Sequence, residues 1–219
     1  MKTEYNQSAL NSIIGANLLV DGVYGIKTKM AEDNFLIKLH NIFSKKGFEA
    51  KEFQPIGIRL SDSYSDKFSD WLFMKTPNSL FFCPMSTKPA SYLESEKAVA
   101  VLKEGQYKDT WQYSNTGWTK MPFFQQVKEV SIYRDNFKDL SITRTAPIVK
   151  GNFGINLHSS LKWFQNILWY KSTDANVSLS HGCNVCMSQD WSLFLNEINR
   201  KYVVGDLITY TLIHIEDFN

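Results

Sequence analysis

Past residue 47 the chain changes period, and that change limits the fold more than any other feature of the sequence. Before it, Leu10, Ile13, Ile14 and Leu18 recur at helical spacing. Asp21-Gly22-Val23-Tyr24-Gly25 then breaks the pattern with two glycines, and a second amphipathic stretch runs through Met30, Phe35, Ile37, Leu39, Ile42 and Phe43. Thr28 is placed to cap that second helix. Lys45-Lys46-Gly47 reads as its stop, with cations in the last turn and Gly just after. Beyond this point short aromatic or β-branched runs (Ile56 to Leu60, Trp71 to Met74, Leu80 to Phe82, Ala98 to Leu102, Val130 to Tyr133) alternate with turn-rich stretches, which signals strands. From Gly151 to His158 the chain alternates, Phe153, Ile155 and Leu157 facing one way and Asn156 and His158 the other. A helix is predicted after Ser188, with Asp190 in its first turn and Trp191, Leu193, Phe194 and Ile198 on its buried side; Leu207 to Ile215 reads as a last strand. The expected class is α+β: a small helical segment over 1–46, then a mostly-β domain over 47–219 with one main helix.

Composition excludes several alternatives. With 43% hydrophobic and 21% charged residues the chain can bury a core, so wholesale disorder and low-complexity structure do not apply. Twenty-four basic residues against 22 acidic ones give no electrostatic footprint for nucleic acid. No segment reaches the ~20 apolar residues of a transmembrane helix, and the start lacks a secretory signal. The expectation is a monomer made in the cytoplasm.

Three cysteines, an odd number, argue against a disulfide framework and leave at least one thiol free. Cys183 stands in Ser180-His181-Gly182-Cys183-Asn184-Val185-Cys186, just ahead of the predicted helix. A cysteine becomes a nucleophile where a cation, a histidine or a helix N-terminus favours its thiolate. His181 lies two residues before it, and His158 ends a strand upstream, followed by Ser159 and Ser160. Gly182 lets the backbone approach a substrate, and the Cys183 amide is a candidate oxyanion donor.

These residues resemble the signature of the cysteine L,D-transpeptidases of bacterial peptidoglycan: an upstream His with a small residue after it, then Ser/Thr-His-Gly-Cys and a nearby Asn or Arg. The resemblance spans roughly residues 80–200 and is strongest over 154–186. It implies the family's mixed β catalytic fold, with Cys183 as acyl-accepting nucleophile and His158 as general base. Ser159 orients His158 through its backbone carbonyl, and His181 with Gly182 shapes the oxyanion site. Asn156, Ser180 and Asn184 are the implied substrate contacts. The substrate is a peptidoglycan stem peptide cut at its L-to-D junction, and no cofactor or metal is required. The spacer from His158 to Ser180 is longer than usual in the family, which suggests an added loop around 163–176. There Trp163 and Trp169 either line a peptide groove or pack in the core. Asn184 follows Cys183 directly, a pattern similar to a phage-type branch. That branch, the missing signal and a wall-binding-like start together favour hydrolysis over cross-linking.

The amino-terminal turn is similar to that of peptidoglycan-binding helical repeats, which makes Asp21, Gly22, Tyr24 and Gly25 candidate wall-binding residues. Two other readings stay open at this level. His158, His181, Cys183 and Cys186 supply enough donors for a zinc hydrolase, and a chain with this signature could be an inactive wall-binding module. A redox role for Cys183-x-x-Cys186 lacks its usual βαβ setting. Cys83 and Cys186 read as small buried hydrophobes, His214 as a structural histidine and His40 as a surface one.

Overall fold

The computed structural model describes residues 2–65, 67–89, 99–115, 122–135, 139–160, 180 and 182–219. The class is α+β. Two helices, α1 (Thr3–Ile14) and α2 (Ile26–Lys46), come first. Strands β1 (Ile56–Arg59), β2 (Asp70–Thr76), β3 (Ser79–Ser86), β4 (Val99–Leu102), β5 (Gly105–Ser114), β6 (Phe123–Gln126), β7 (Val130–Asp135), β8 (Ile148–Gly151), β9 (Leu157–Ser159) and β10 (Asn184–Cys186) follow. Helix α3 (Ser188–Ile198), strand β11 (Leu207–His214) and a short 3₁₀ turn (Ile215–Phe218) close the chain. Eight strands form a closed barrel in the order β1-β11-β5-β6-β9-β10-β3-β2, and β4-β7-β8 make a separate sheet. The β1–β11 and β9–β10 pairs are parallel. No helix among the described residues is long and apolar enough to cross a membrane.

The expected stop of α2 is where the sequence placed it. Gly47 closes the helix with φ +66, and the Phe48 amide reaches back to the Phe43 carbonyl at 2.8 Å. The start differs: Gly25, not Thr28, precedes the first turn, and Thr28 is buried within the helix.

Alternation along the strands feeds two cores. Leu72 and Met74 of β2, Phe81, Cys83 and Met85 of β3, and Ile208, Tyr210 and Leu212 of β11 belong to one cluster with Trp111, Phe124 and Leu157. Their outward neighbours Phe73, Leu80, Phe82 and Ile213, with Ile56 and Ile58 of β1, form a second cluster with Leu10, Phe35, Leu39, Ile42 and Phe43 of the helices. Phe35 stands at the centre of this layer, with ring centroids 4.9 Å from Phe73, 5.3 Å from Phe82 and 5.7 Å from Phe218. The expected boundary near residue 47 is thus the end of α2, but the helices have no core apart from the barrel's outer face. A β sheet buried on both faces needs such a covering layer, because bare Phe73, Phe82 and Ile213 would otherwise meet water.

Helix α3 follows its predicted span. Trp191, Phe194 and Ile198 are fully buried in the barrel cluster; Leu195 joins them, while Leu193 is only partly buried. The predicted continuous strand over 151–158 is instead two short ones, β8 and β9, with an irregular stretch between them. Gly154 takes φ +70 there, outside the extended backbone range of a regular strand. The side of each residue is nevertheless as expected, since Phe153, Ile155 and Leu157 all meet the barrel cluster.

Gln126 replaces the missing ladder. Buried at the end of β6, its Oε1 accepts from the Phe153 and Ile155 amides at 3.2 and 2.9 Å. Its Nε2 donates to the Lys128 and Gly151 carbonyls at 2.8 and 3.1 Å. One side chain thus meets four backbone groups that would otherwise be unmatched. Gln126→Leu is expected to lower stability by about 2–4 kcal/mol, as several buried polar groups lose partners together. Denaturant unfolding measures this, and a loss below about 0.5 kcal/mol contradicts the clamp.

Candidate active site

The irregular stretch delivers Asn156 to the start of β9, and Asn156 connects the two halves of the signature. Its carbonyl accepts from the Asn184 amide at 2.9 Å, its own amide donates to Cys183 Sγ at 3.4 Å, and its side-chain Oδ1 accepts from the Gln126 amide at 3.0 Å. The Cys183 thiol in turn faces the Gly154 carbonyl at 3.5 Å. Gly154 is the contact that residue-type reasoning did not single out.

Register places the histidine. In the parallel β9–β10 pair, Val185 lies opposite His158, Asn184 opposite Leu157 and Cys186 opposite Ser159. Register partners in a sheet share a face, and residues two apart along a strand share it too. Cys183 precedes β10, and its sulfur meets the Asn156 amide and the Gly154 carbonyl just upstream of His158 on the neighbouring strand. Asn184 and Cys186 lie on the side opposite Val185, inside the barrel.

The tautomer of His158 follows from one contact. Its Nδ1 lies 2.7 Å from the Ser159 carbonyl, which can only accept, so Nδ1 carries the proton and Nε2 presents a lone pair. Burial pushes the His158 pKa below its ordinary value, against a smaller upward pull from the Ser159 carbonyl. The imidazole is thus neutral at pH 7. Burial pushes the Cys183 thiol up, and the Asn156 amide draws it partly back. The resting pair is thiol and neutral imidazole, not thiolate and imidazolium.

That assignment has a measurable consequence. The rate of Cys183 alkylation by iodoacetamide, followed against pH, is expected to rise with a midpoint above the ordinary cysteine value. A midpoint near or below neutrality would reveal a preformed ion pair and contradict this electrostatic picture. Stability carries the matching sign for the imidazole. A histidine held neutral by burial binds fewer protons folded than unfolded, so its stabilising effect is present above the unfolded pKa and is lost as pH falls through the folded one.

The turn before Cys183 is held from within. Ser180, 3% exposed, accepts the Gly182 amide at 3.1 Å and donates to the Cys183 carbonyl at 2.7 Å. Its hydroxyl is therefore occupied by the turn instead of being presented to a substrate. Gly182 adopts φ +136, and a Cβ there would stand 2.2 Å from the Ala100 carbonyl of β4. No side chain fits at that place, so the glycine reflects close packing of the β4-β7-β8 sheet against the turn. Its amide is engaged by Ser180, so the Cys183 amide stays the candidate oxyanion donor.

Other expected site residues fall elsewhere. Asn184 is fully buried, with its Oδ1 accepting from Tyr210 at 3.3 Å, so it supports the barrel under the thiol and does not reach a substrate there. The Asn156 side chain is likewise engaged within the fold. His181, Trp163 and Trp169 lie outside the described residues. Cys83 and Cys186 are fully buried in the barrel cluster. Both are packed as small apolar side chains of the barrel core. His40 is exposed, and His214 caps the closing 3₁₀ turn by accepting from the Glu216 amide at 3.3 Å.

The amino-terminal turn is tied to α1. Gln7 Oε1 accepts from the Asp21 and Gly22 amides at 3.1 and 3.0 Å, and its Nε2 donates to Asp21 Oδ1 at 2.9 Å. Tyr24 donates its hydroxyl to Glu32 at 2.7 Å, and Gly25 precedes α2. No protein-family model matches the chain, and no curated protein shows significant similarity to it.

Proposed function

We propose that the chain is a cysteine peptidoglycan enzyme of L,D-transpeptidase type, acting on stem peptides at the L-to-D junction. The observation that supports this reading is the parallel β9–β10 pairing, which sets the strand bearing His158 beside the segment that starts just after Cys183, with Cys183 Sγ at the Asn156 amide. The sequence signature around both residues supplies the substrate class.

The chemistry follows from the two neutral groups. As the Cys183 sulfur attacks the substrate carbonyl, His158 Nε2 takes the thiol proton, and the Nδ1 bond to Ser159 stabilises the imidazolium that forms. The developing oxyanion is met by the Cys183 amide. Collapse breaks the peptide bond, and His158 returns its proton to the departing amine. The thioester is then cleared by water, which trims or cuts the peptide, or by an amine, which forms a cross-link. Hydrolysis is the proposed main fate. The Asp21–Gly25 turn is proposed to face the wall.

Purified muropeptides incubated with the wild type and with Cys183→Ala test this by product mass. Loss of a terminal D-residue indicates hydrolysis, and dimers indicate transfer. Identical products from both proteins remove the proposal.

A further inference from the structure

His214, 6% exposed, stands at the junction of β11 and the 3₁₀ turn and takes no part in the thiol site. Its Nδ1 accepts from the Glu216 amide at 3.3 Å, so that nitrogen is bare and Nε2 carries the ring proton. Nε2 is buried and makes no hydrogen bond among the described residues, although Asp62 Oδ1 lies 3.5 Å away. Arg144 holds that carboxylate from Nε and Nη2 at 2.6 and 3.0 Å, which keeps it from closing on the ring. The turn that His214 caps is itself a cover. Phe218, 4% exposed, stacks on Phe35 with centroids 5.7 Å apart, and its carbonyl accepts from Lys38 at 2.8 Å. Asp217 pairs with Lys46 at 2.8 Å. The turn thereby closes one side of the layer between helices and barrel.

A second ring proton changes what this cap can do. It can enter only at Nδ1, the bare nitrogen, and it turns an acceptor into a donor. The Glu216 amide then faces another N–H and loses its partner, while Nδ1–H meets the Glu216 carboxylate, whose Oε2 is already 3.3 Å away. A backbone cap is exchanged for a pair with a side chain that is 73% exposed. Charged groups face the ring from three further elements: Asp62 after β1, Glu104 between β4 and β5, and Arg144 before β8. Within the turn, Asp217 accepts the His214 amide at 3.3 Å. Burial, then Arg144, disfavour the imidazolium and outweigh Asp62, Glu216 and Glu104, which holds the pKa below the ordinary imidazole value. The cap is therefore whole at neutral pH and is lost as pH falls through the folded pKa.

We propose that His214 is a pH-operated cap: neutral, it holds the 3₁₀ turn closed over Phe35, and protonated, it releases the turn. The device uses neither Cys183 nor His158, so its failure is distinguishable from failure of the enzymatic reading. NMR of the full chain, carried from neutral pH into acid, tests it by following the His214 ring resonances and the exchange of the Glu216 amide together. Protection of that amide, corrected for the intrinsic pH dependence of exchange, is expected to fall by about fivefold or more, the scale of a lost N-cap. Its midpoint should coincide with that of the ring. Glu216→Gln, at an exposed position, removes the adjacent carboxyl titration and should leave the two midpoints coincident. His214→Asn supplies a cap oxygen that is not protonated in this range, and should keep the amide protected in acid. If His214→Asn does not fold, the coincidence of midpoints in the wild type and in Glu216→Gln decides the matter. Protection that stays constant while the ring titrates, protection lost in His214→Asn as in the wild type, or a ring that stays neutral until the whole chain unfolds overturns the proposal.

Discussion

His158→Gln is expected to lower kcat/KM on stem peptides by about 10²–10⁴-fold, the range for a lost general base. This corresponds to about 2.7–5.5 kcal/mol of transition-state stabilisation. The size follows from the resting state. Burial holds the Cys183 thiol protonated and His158 neutral, so attack requires a proton acceptor at the moment the carbon–sulfur bond forms. Glutamine can occupy similar space but accepts no proton at neutral pH. The wild-type rate is further expected to fall in acid as His158 becomes charged, with a midpoint below the ordinary imidazole value. Cys186→Ser, by contrast, changes a residue packed in the barrel core, so the Cys183 chemistry should persist wherever the variant folds. Steady-state kinetics with a synthetic stem peptide, beside a thermal unfolding check, separates these effects. A His158→Gln rate within a few-fold of wild type would remove the histidine from the mechanism.

Arg59→Ala is expected to cost about 3–5 kcal/mol of stability, the usual loss when one member of a buried ion pair is removed. Arg59 is fully buried at the end of β1. It bonds Glu104 at 2.6 Å, the Thr87 hydroxyl and carbonyl at 3.0 and 2.9 Å, and the Leu102 carbonyl at 3.0 Å. One guanidinium thereby links the barrel to β4, the strand whose Ala100 packs on Gly182. Burial pushes the Glu104 carboxyl up, but Arg59 and further partners outweigh it and hold it below the ordinary value. That carboxylate therefore stabilises the fold above its unfolded pKa and loses this effect as pH falls through the folded one. The Arg59→Ala penalty should be largest near neutrality and shrink in acid, where Glu104 is protonated. Denaturant unfolding at two pH values reads both features. A penalty below about 1 kcal/mol, or one that grows in acid, contradicts the assigned role.

Residue patterns disclosed the parts of this fold that local chemistry decides. The stop at Lys45-Lys46-Gly47 and the buried side of α3 are set by helix capping and by 3.6-residue spacing, both of which leave marks in short windows. The ten-residue β5 left no such mark, because Gln106, Lys108 and Asp109 are polar and Asp109 has φ +49. Its pairing with β11 and β6 is supplied from distant parts of the chain. The shared core of helices and barrel was hidden for a related reason. Trp71 to Met74 and Leu80 to Cys83 are apolar on both faces, so their alternation carries no record of which neighbour covers which side.

At the site, residue types located Cys183, His158 and Gly182, whereas facing and hydrogen-bond use required the register. Asn184 looks like a substrate contact beside the cysteine, yet strand alternation turns it into the barrel toward Tyr210. Ser180 is likewise a plausible ligand by type, but its hydroxyl is needed to hold the turn. Gln126 acts through four backbone contacts that no short motif encodes.

The most direct test of the central claim is the intact mass of the protein quenched during reaction with a stem peptide. A covalent acyl adduct, mapped by digestion to the peptide carrying Cys183 and absent from Cys183→Ala, is the predicted result. Turnover of that substrate by Cys183→Ala at the wild-type rate, with no adduct on Cys183 in the wild type, would contradict it.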